Sequence, residues 1–198
     1  MKRFIFDLDG TITSTETLPL IASHFLIEAE IEELTKETIA GNIPFIESFI
    51  RRVHILGKLP VSEIEDLLLN VSLHLKVLEF IKQNKENCII ATGNLDCWVG
   101  KLCNKIGCKY YCSSGVIENN RVKLTSILRK ETIVNKYKER GDQVVFIGDG
   151  NNDMEAMRLA DVSIASGLVH WPSNSILSIT DYLTFSEGAL CRQLNQLL

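Results

Sequence analysis

Phe4-Ile5-Phe6-Asp7-Leu8-Asp9-Gly10-Thr11 is the stretch whose reading decides the fold. A short apolar run of β type stops at two aspartates one residue apart, and Gly follows at once. In extended chain alternate side chains share a face, so Asp7 and Asp9 are expected to converge as the strand ends. Gly10 lets the backbone turn sharply and come close to a ligand. Open α/β sheets bind ligands outside the carboxyl ends of their strands, the position this pair would take. One carboxylate can then act as nucleophile and the other as proton donor, with a divalent cation screening both. Aspartates that merely cap a turn are the plain alternative. An EF-hand loop also opens on spaced aspartates, but its fifth and sixth positions call for an oxygen ligand and Gly, where this chain has Thr11 and Ile12.

Working outward, 198 residues can bury a substantial core, as one domain or as one domain carrying an insert. A net charge of -4 without a basic stripe offers no footprint for nucleic acid. Met1-Lys2-Arg3 leads into a run too short, and too soon acidic, for a signal peptide, and no apolar run approaches membrane-spanning length. A cytoplasmic enzyme is the expectation. Cys97, Cys103, Cys108 and Cys112 crowd one region, yet no C-x-x-C pair occurs. The six cysteines are read as reduced packing residues.

After Thr11 the apolar spacing is helical for a long way. Helices are expected over 16–28, 31–40, 44–56, 62–70 and 73–83, with Gly41, Gly57 and Pro60 as breaks and Ser62/Glu65 as a capping box. The interval from Asp9 to Thr92 far exceeds the roughly 30 residues of a βαβ unit. A helical subdomain inserted after the first strand accounts for the surplus, dividing the chain into a core of 1–13 with 73–198 and a cap of 14–72. Lids of this kind exclude water and recognise substrate.

From Asn87-Cys88-Ile89-Ile90-Ala91-Thr92 onward strands and helices alternate as in a parallel α/β sheet. A helix over 96–106 leads to a short strand near 109–112. A hairpin over 116–124 turns at Asn119-Asn120, and a helix follows over 129–140. The strands 143–147 and 162–165 flank a helix that ends near Leu159. A last helix is expected over 186–197, and the tail around Trp171-Pro172 has no assigned place.

Three parallel strands therefore end in chemistry: Asp7-x-Asp9, then Thr92-Gly93-Asn94, then Gly148-Asp149-Gly150-x-x-Asp153, with Lys130 ahead of the third. Phosphoryl transfer needs in-line attack and stabilisation of charge on the equatorial oxygens. Asp7 is placed to attack phosphorus, and Asp9 to protonate the leaving alcohol and later take a proton from water. Mg²⁺ is expected on Asp7, Asp149 and a backbone carbonyl, with Asp153 as a direct or indirect partner. Thr92, the Gly93 N–H and Lys130 would hold phosphate oxygens.

In this order D-x-D-G-T, T-G, Lys and G-D-G-x-x-D resemble the haloacid dehalogenase superfamily of phosphatases, over roughly Phe4 to Ala165. The resemblance implies a Rossmann-like core with the first strand central, and a Mg²⁺-dependent phosphoaspartyl mechanism whose metal set draws on Asp7, Asp9, Asp149 and Asp153. The helical insert is similar to the cap of phosphoserine phosphatases, through Thr15-Glu16-Thr17, Ala40-Gly41-Asn42-Ile43-Pro44-Phe45, Ser48, Arg51-Arg52-Val53 and Leu59-Pro60. That likeness assigns a substrate ammonium to Glu16 and a carboxylate to Arg52, with Arg51 the neighbouring choice. It adds Phe45, and less directly Ile39, as apolar contacts; Asn94 and Asn152 are expected beside Thr92 and Gly93 in the substrate set.

Gly10 stands where those enzymes carry Ser, and Asn94 where they carry Gly. His170 reads as a satisfied loop histidine, because the phosphoaspartyl route does not require one. The expected substrate is phosphoserine or a similar small amino-acid-like phosphate, the alternative another small phosphorylated metabolite. A phosphorylatable signalling module is the rival from a different class. Receiver domains, however, carry their phosphoacceptor after a mid-chain strand and have no helical insert over the site.

Overall fold

The computed structural model describes residues 1–39 and 42–198, with the side chains of residues 38, 39 and 45 left aside. Strand β1 (Lys2–Phe6) opens the chain, and helices α1 (Thr17–His24), α2 (Glu28–Ile39), α3 (Phe45–Leu56) and α4 (Val61–Leu69) follow. Next come α5 (Leu75–Gln83), β2 (Cys88–Leu95), α6 (Asp96–Ile106), β3 (Lys109–Glu118), β4 (Arg121–Ser126), α7 (Lys130–Lys138) and β5 (Gln143–Gly148). A turn of 3₁₀ helix over Asn151–Asp153 leads into α8 (Met154–Leu159), β6 (Val162–Ser166), α9 (Asn174–Leu177), β7 (Tyr182–Thr184) and α10 (Glu187–Leu197).

Among the described residues the strands form one seven-stranded sheet in the order β4-β3-β2-β1-β5-β6-β7, parallel throughout except for the antiparallel β3–β4 pair. The first strand is central, as the family likeness implied. Period-two alternation divides its side chains between two cores. Phe4 and Phe6 pack with α5, α6 and α10, where Phe4 meets the edge of Phe80 at 5.3 Å. Ile5 packs on the other face with Ile133, Val134 and Met157 of α7 and α8. Burial on both faces explains why β1, β2 and β5 read as continuous apolar runs.

Helices α1 to α4 form the segment inserted between β1 and α5. The chain enters and leaves it side by side: Ser14 N–H donates to Ser72 O and His74 N–H to Ile12 O, each at 2.9 Å, around a Thr13–Leu73 bridge. Apolar residues of this segment, among them Ile31, Phe49, Val53 and Leu56, are continuous with the core beneath. At the end of α3 the Val122 N–H of β4 donates to Gly57 O at 2.7 Å. A Cβ at Gly57 would lie 2.6 Å from Val53 O and 2.7 Å from Val122 O, so only Gly permits that approach.

Four expectations change. The short strand near 109–112 and the hairpin are one element: β3 pairs with β2 through Ser113, then with β4 from Ser114. Its turn is the expected one, with positive φ at Asn119 and Asn120. Helix α4 starts after Pro60 without a side-chain cap, so Ser62/Glu65 is not used as a capping box; Ser62 already lies inside the helix. The tail supplies α9 and the edge strand β7, both too short to show a period. Lastly, β1 stops at Phe6, so Asp7 and Asp9 lie in the turn beyond it and do not share a strand face.

Candidate active site

Strands β1, β2, β5 and β6 all end at one edge, and the sheet's connections diverge there from β1 to its neighbours β2 and β5, the kind of place where such sheets bind ligands. The turn after β1 is held by Ile12 N–H and Thr13 N–H, both donating to Leu8 O at 2.9 Å. Gly10 has φ +68°, and a Cβ there would lie 2.7 Å from Asp149 Oδ2 and 3.1 Å from Glu16 Oε1. A side chain at position 10 would therefore displace two carboxylates that lie over the loop.

Asp7, Asp149 and Asp153 are buried and bring one oxygen each within 4.8 Å of one another. Lys130, the first residue of α7, sits among them, its Nζ 2.7 Å from Asp7 Oδ1 and 2.6 Å from Asp153 Oδ1. Burial alone would lower the lysine pKa, but Asp153 and Asp7 overcome it and hold the ammonium charged. Asp153 Oδ2 accepts from the N–H groups of Asp149 and Gly150, tying the loop after β5 together. Asp7 Oδ1 also accepts from Leu8 N–H at 2.7 Å, while Oδ2 has no hydrogen-bond partner among the described residues.

One ammonium against three buried carboxylates leaves a negative excess. Burial and Asp153 hold Asp7 well above the usual carboxylate range, Lys130 opposing them. Asp149 is pushed up to about 6, by burial first, with His170 pulling it back. Oxygen donors with surplus negative charge fit a hard divalent cation such as Mg²⁺.

The Asp9 side chain belongs to a different set. Its Oδ1 accepts from the Thr17 N–H at 2.9 Å and from the Thr17 hydroxyl, at the N-terminus of α1. Its Oδ2 lies 3.5 Å from Thr92 Oγ1. Burial and Glu16 push it up to about 6, the Thr17 bonds opposing. Expected by sequence among the metal residues, this carboxylate stands outside the Asp7/Asp149/Asp153 cluster.

Thr92 lies where β2 bulges, its register with β3 slipping between Thr92 and Leu95. A Cβ at Gly93 would meet nothing within 4 Å. Asn94 is buried; its Nδ2 donates to Thr17 Oγ1 at 2.6 Å and its Oδ1 accepts from Leu95 N–H at 2.8 Å. That side chain supports Thr17, and through it Asp9. Asn152 lies in the 3₁₀ turn, folded against Gly150, with no hydrogen bond to the other candidates among the described residues.

From the helical segment, Glu16 and Arg52 face the same region. Arg52 is half-buried and its Nε has no partner among the described residues. Burial lowers its pKa and the Glu16 carboxylate opposes that shift. Arg51 is exposed and paired with Glu47 at 2.5 Å on its own helix. The Phe45 and Ile39 side chains, and Ala40 and Gly41, lie outside the described residues. A groove of about 610 Å³ between α3 and β4 is lined by residues that include Val53, His54, Lys58 and Arg121 and contains none of these groups.

Two residues outside the expected site set lie against its carboxylates: Thr17, named only within a motif, and His170, read as a satisfied loop histidine. Thr17 is invisible as a site residue because its partner Asp9 precedes it by two turns of irregular chain. His170 lies 2.7 Å by Nε2 from Asp149 Oδ2 and 3.1 Å from Glu16 Oε1, with Nδ1 3.0 Å from Trp171 O. Facing acceptors at both nitrogens, it is pushed up to about 11, chiefly by Asp149 and Glu16. The signal for it was topological: strand 162–165 ends on the same edge, so the loop that follows passes the site.

Comparison with known proteins agrees with this geometry. A haloacid dehalogenase-like hydrolase family model matches residues 1–161. The phosphoserine phosphatase of Methanocaldococcus jannaschii is 28% identical over 181 residues, covering 83% of this chain and 84% of that protein. A 2-hydroxy-3-keto-5-methylthiopentenyl-1-phosphate phosphatase of Lysinibacillus sphaericus is 23% identical, covering 94% and 92%. The fold of a solved phosphoserine phosphatase, as a phospho-aspartyl intermediate analogue, superposes with a TM-score of 0.79 at 22% identity, covering 98% of this chain and 99% of that one. With its sheet order, acidic edge and matched span, the chain belongs to the haloacid dehalogenase-like hydrolases, and within them it is phosphoserine-phosphatase-like.

Proposed function

We propose that this chain is a Mg²⁺-dependent phosphomonoester hydrolase that works through an aspartyl-phosphate on Asp7, acting on a small carboxylate-bearing phosphate ester with phosphoserine the first to assay. The observation that carries this reading is the state of Asp7. One carboxylate oxygen is fixed by Lys130 and the Leu8 N–H, while the other has no hydrogen-bond partner among the described residues, inside a buried acidic cluster.

Asp7 Oδ2 attacks phosphorus and the ester P–O bond breaks. Asp9 gives its proton to the departing alkoxide oxygen, for which a carboxyl titrating at about 6 is suited. Water then attacks the phosphoaspartate, Asp9 takes the proton, and inorganic phosphate leaves with Asp7 regenerated. The Thr92 hydroxyl and Gly93 N–H bind phosphate oxygens, and Lys130 offsets charge beside the nucleophile. The ion, held by Asp7, Asp149 and main-chain oxygen at Asp9 with Asp153 supporting, would neutralise the anionic phosphate on approach. Asp9 also argues against a signalling module, since it empties the phosphoaspartate.

In this reading residues 14–72 are a cap over the core of 1–13 and 73–198, and paired passes at Ile12–Ser14 and Ser72–His74 support that boundary. Arg52, with an unpartnered Nε, takes a substrate carboxylate. Glu16 faces its polar end, and Phe45 and Asn152 are assigned to the substrate by the family likeness alone. The methylthiopentenyl-phosphate phosphatase among the relatives keeps a different small metabolite open as the second reading. The test is phosphate release from a panel of phosphate esters with Mg²⁺ and with chelator. Metal-dependent release that is lost in Asp7→Asn supports the reading, and full activity of Asp7→Asn ends it.

A further inference from the structure

Asn94, expected among the substrate contacts, is buried, and its side chain is bonded to protein groups. Leu95 N–H donates to Asn94 Oδ1 at 2.8 Å, which fixes the amide, so its NH₂ faces the other way. There Nδ2 donates to Thr17 Oγ1 at 2.6 Å. A threonine hydroxyl has a single proton. With an amide hydrogen already aimed at Oγ1, that proton goes to the remaining neighbour, Asp9 Oδ1. The Thr17 N–H donates to the same Oδ1 at 2.9 Å.

The two oxygens of Asp9 are therefore unlike. Oδ1 is tethered by two donors from Thr17, at the N-terminus of α1. Oδ2 faces Thr92 Oγ1 at 3.5 Å, the hydroxyl assigned to the phosphate. Asn94 reaches that side as well, because its own N–H donates to Thr92 Oγ1 at 3.0 Å. Asn94, Thr17 and Thr92 are all buried, which leaves water little access to the chain of bonds.

Resting on the phosphatase reading above, we infer that Asn94 is a positioning residue: through Thr17 it holds Asp9 Oδ1, and so presents Oδ2, beside Thr92, to the oxygen that leaves phosphorus. Its contribution falls on one step. The Asp7 Oδ2–P bond forms, the ester P–O bond breaks, and a proton passes from Asp9 Oδ2 to the departing oxygen. Without the amide the Thr17 hydroxyl is free to turn. Asp9 is then held by the Thr17 N–H alone, in orientations of which only some reach that oxygen.

An alcohol leaving as alkoxide needs this proton, whereas p-nitrophenolate leaves without one. The test compares kcat/KM for phosphoserine, or for the best alkyl ester of the panel, with kcat/KM for p-nitrophenyl phosphate, both with Mg²⁺. That parameter extends only to departure of the leaving group, so the later attack of water does not enter. Asn94→Ala should lose about tenfold or more on the alkyl ester and stay within about threefold on p-nitrophenyl phosphate. One preparation serves both assays, so general damage cancels in the ratio. Asn94→Leu, which fills the volume without a donor, should repeat that ratio and serves if the smaller variant does not fold. A double-mutant cycle gives a second readout: in Thr17→Val, Asn94→Ala should move the ratio by less than about twofold, because the group it acts through is gone. Thr17→Ser, which keeps the hydroxyl, should keep the parent's ratio. An equal loss on both esters makes Asn94 a packing residue and overturns the inference, as does an unmoved ratio or an undiminished effect in Thr17→Val. All three outcomes leave the hydrolase intact. A parent that releases phosphate from no ester overturns the phosphatase reading and the inference together.

Discussion

Lys130 Nζ lies 2.7 Å from Asp7 Oδ1, an ion pair buried at the meeting point of β1 and α7, with both side chains 5% exposed or less. The ammonium is the internal counter-charge of an acidic cluster, so removing it leaves carboxylates unpaired in a dry environment.

Lys130→Met should therefore destabilise the metal-free protein by about 3–5 kcal/mol in chemical denaturation and abolish turnover. Lys130→Arg should recover part of the stability, since it keeps the charge with a different fork. A Lys130→Met protein as stable as the parent would show that the cluster is protonated and needs no cation.

The acidic groups make stability depend on pH in an unusual sense. Asp9 and Asp149 titrate at about 6 in the fold against an ordinary 3.8, and Asp7 is raised as well, burial being the first cause in each. The folded chain thus binds more protons than the unfolded chain between those limits, and stability falls as pH rises through them. The metal-free protein should melt higher at pH 5 than at pH 8. Mg²⁺ should raise the melting temperature more at pH 8, where it meets ionised carboxylates.

Thr17 holds the Asp9 pKa down through two hydrogen bonds. Thr17→Val removes the hydroxyl and strands Asn94 Nδ2, so Asp9 should titrate higher. If Asp9 is the proton donor, the alkaline fall of kcat/KM moves to higher pH in Thr17→Val. An unmoved profile assigns that fall to another group.

A prediction for the fold alone concerns Gly57. Added to that position, a methyl group meets Val53 O and Val122 O at under 3 Å. Gly57→Ala should cost about 1–3 kcal/mol and loosen the β3–β4 hairpin from α3, visible as faster exchange of the Val122 amide.

What the sequence made legible follows from how local each signal is. β1, β2 and β5 were readable because burial on both faces writes continuous apolar runs, and three of them ending in Asp7, Thr92 and Asp149 located the edge. Asn119-Asn120 announced its turn because both residues must take positive φ. Contacts made by folding were not legible. Thr17 and Asn94 acquire roles only when α1 docks against the loop after β1, and Asp9 was placed with the metal residues by the family likeness, which does not carry the turn of its side chain toward Thr17. β7 is three residues long, and His170 sits in a loop without periodicity, so neither leaves a pattern.

The central claim, that Asp7 carries the phosphoryl group, is tested most directly by quenching the enzyme during turnover and reducing it with borohydride, which converts an aspartyl phosphate to homoserine. Mass spectrometry should find homoserine at position 7 and at no other aspartate, with more trapped in Asp9→Asn than in the parent. Sustained phosphate release with unmodified Asp7, or homoserine at Asp149 or Asp153, would contradict the account.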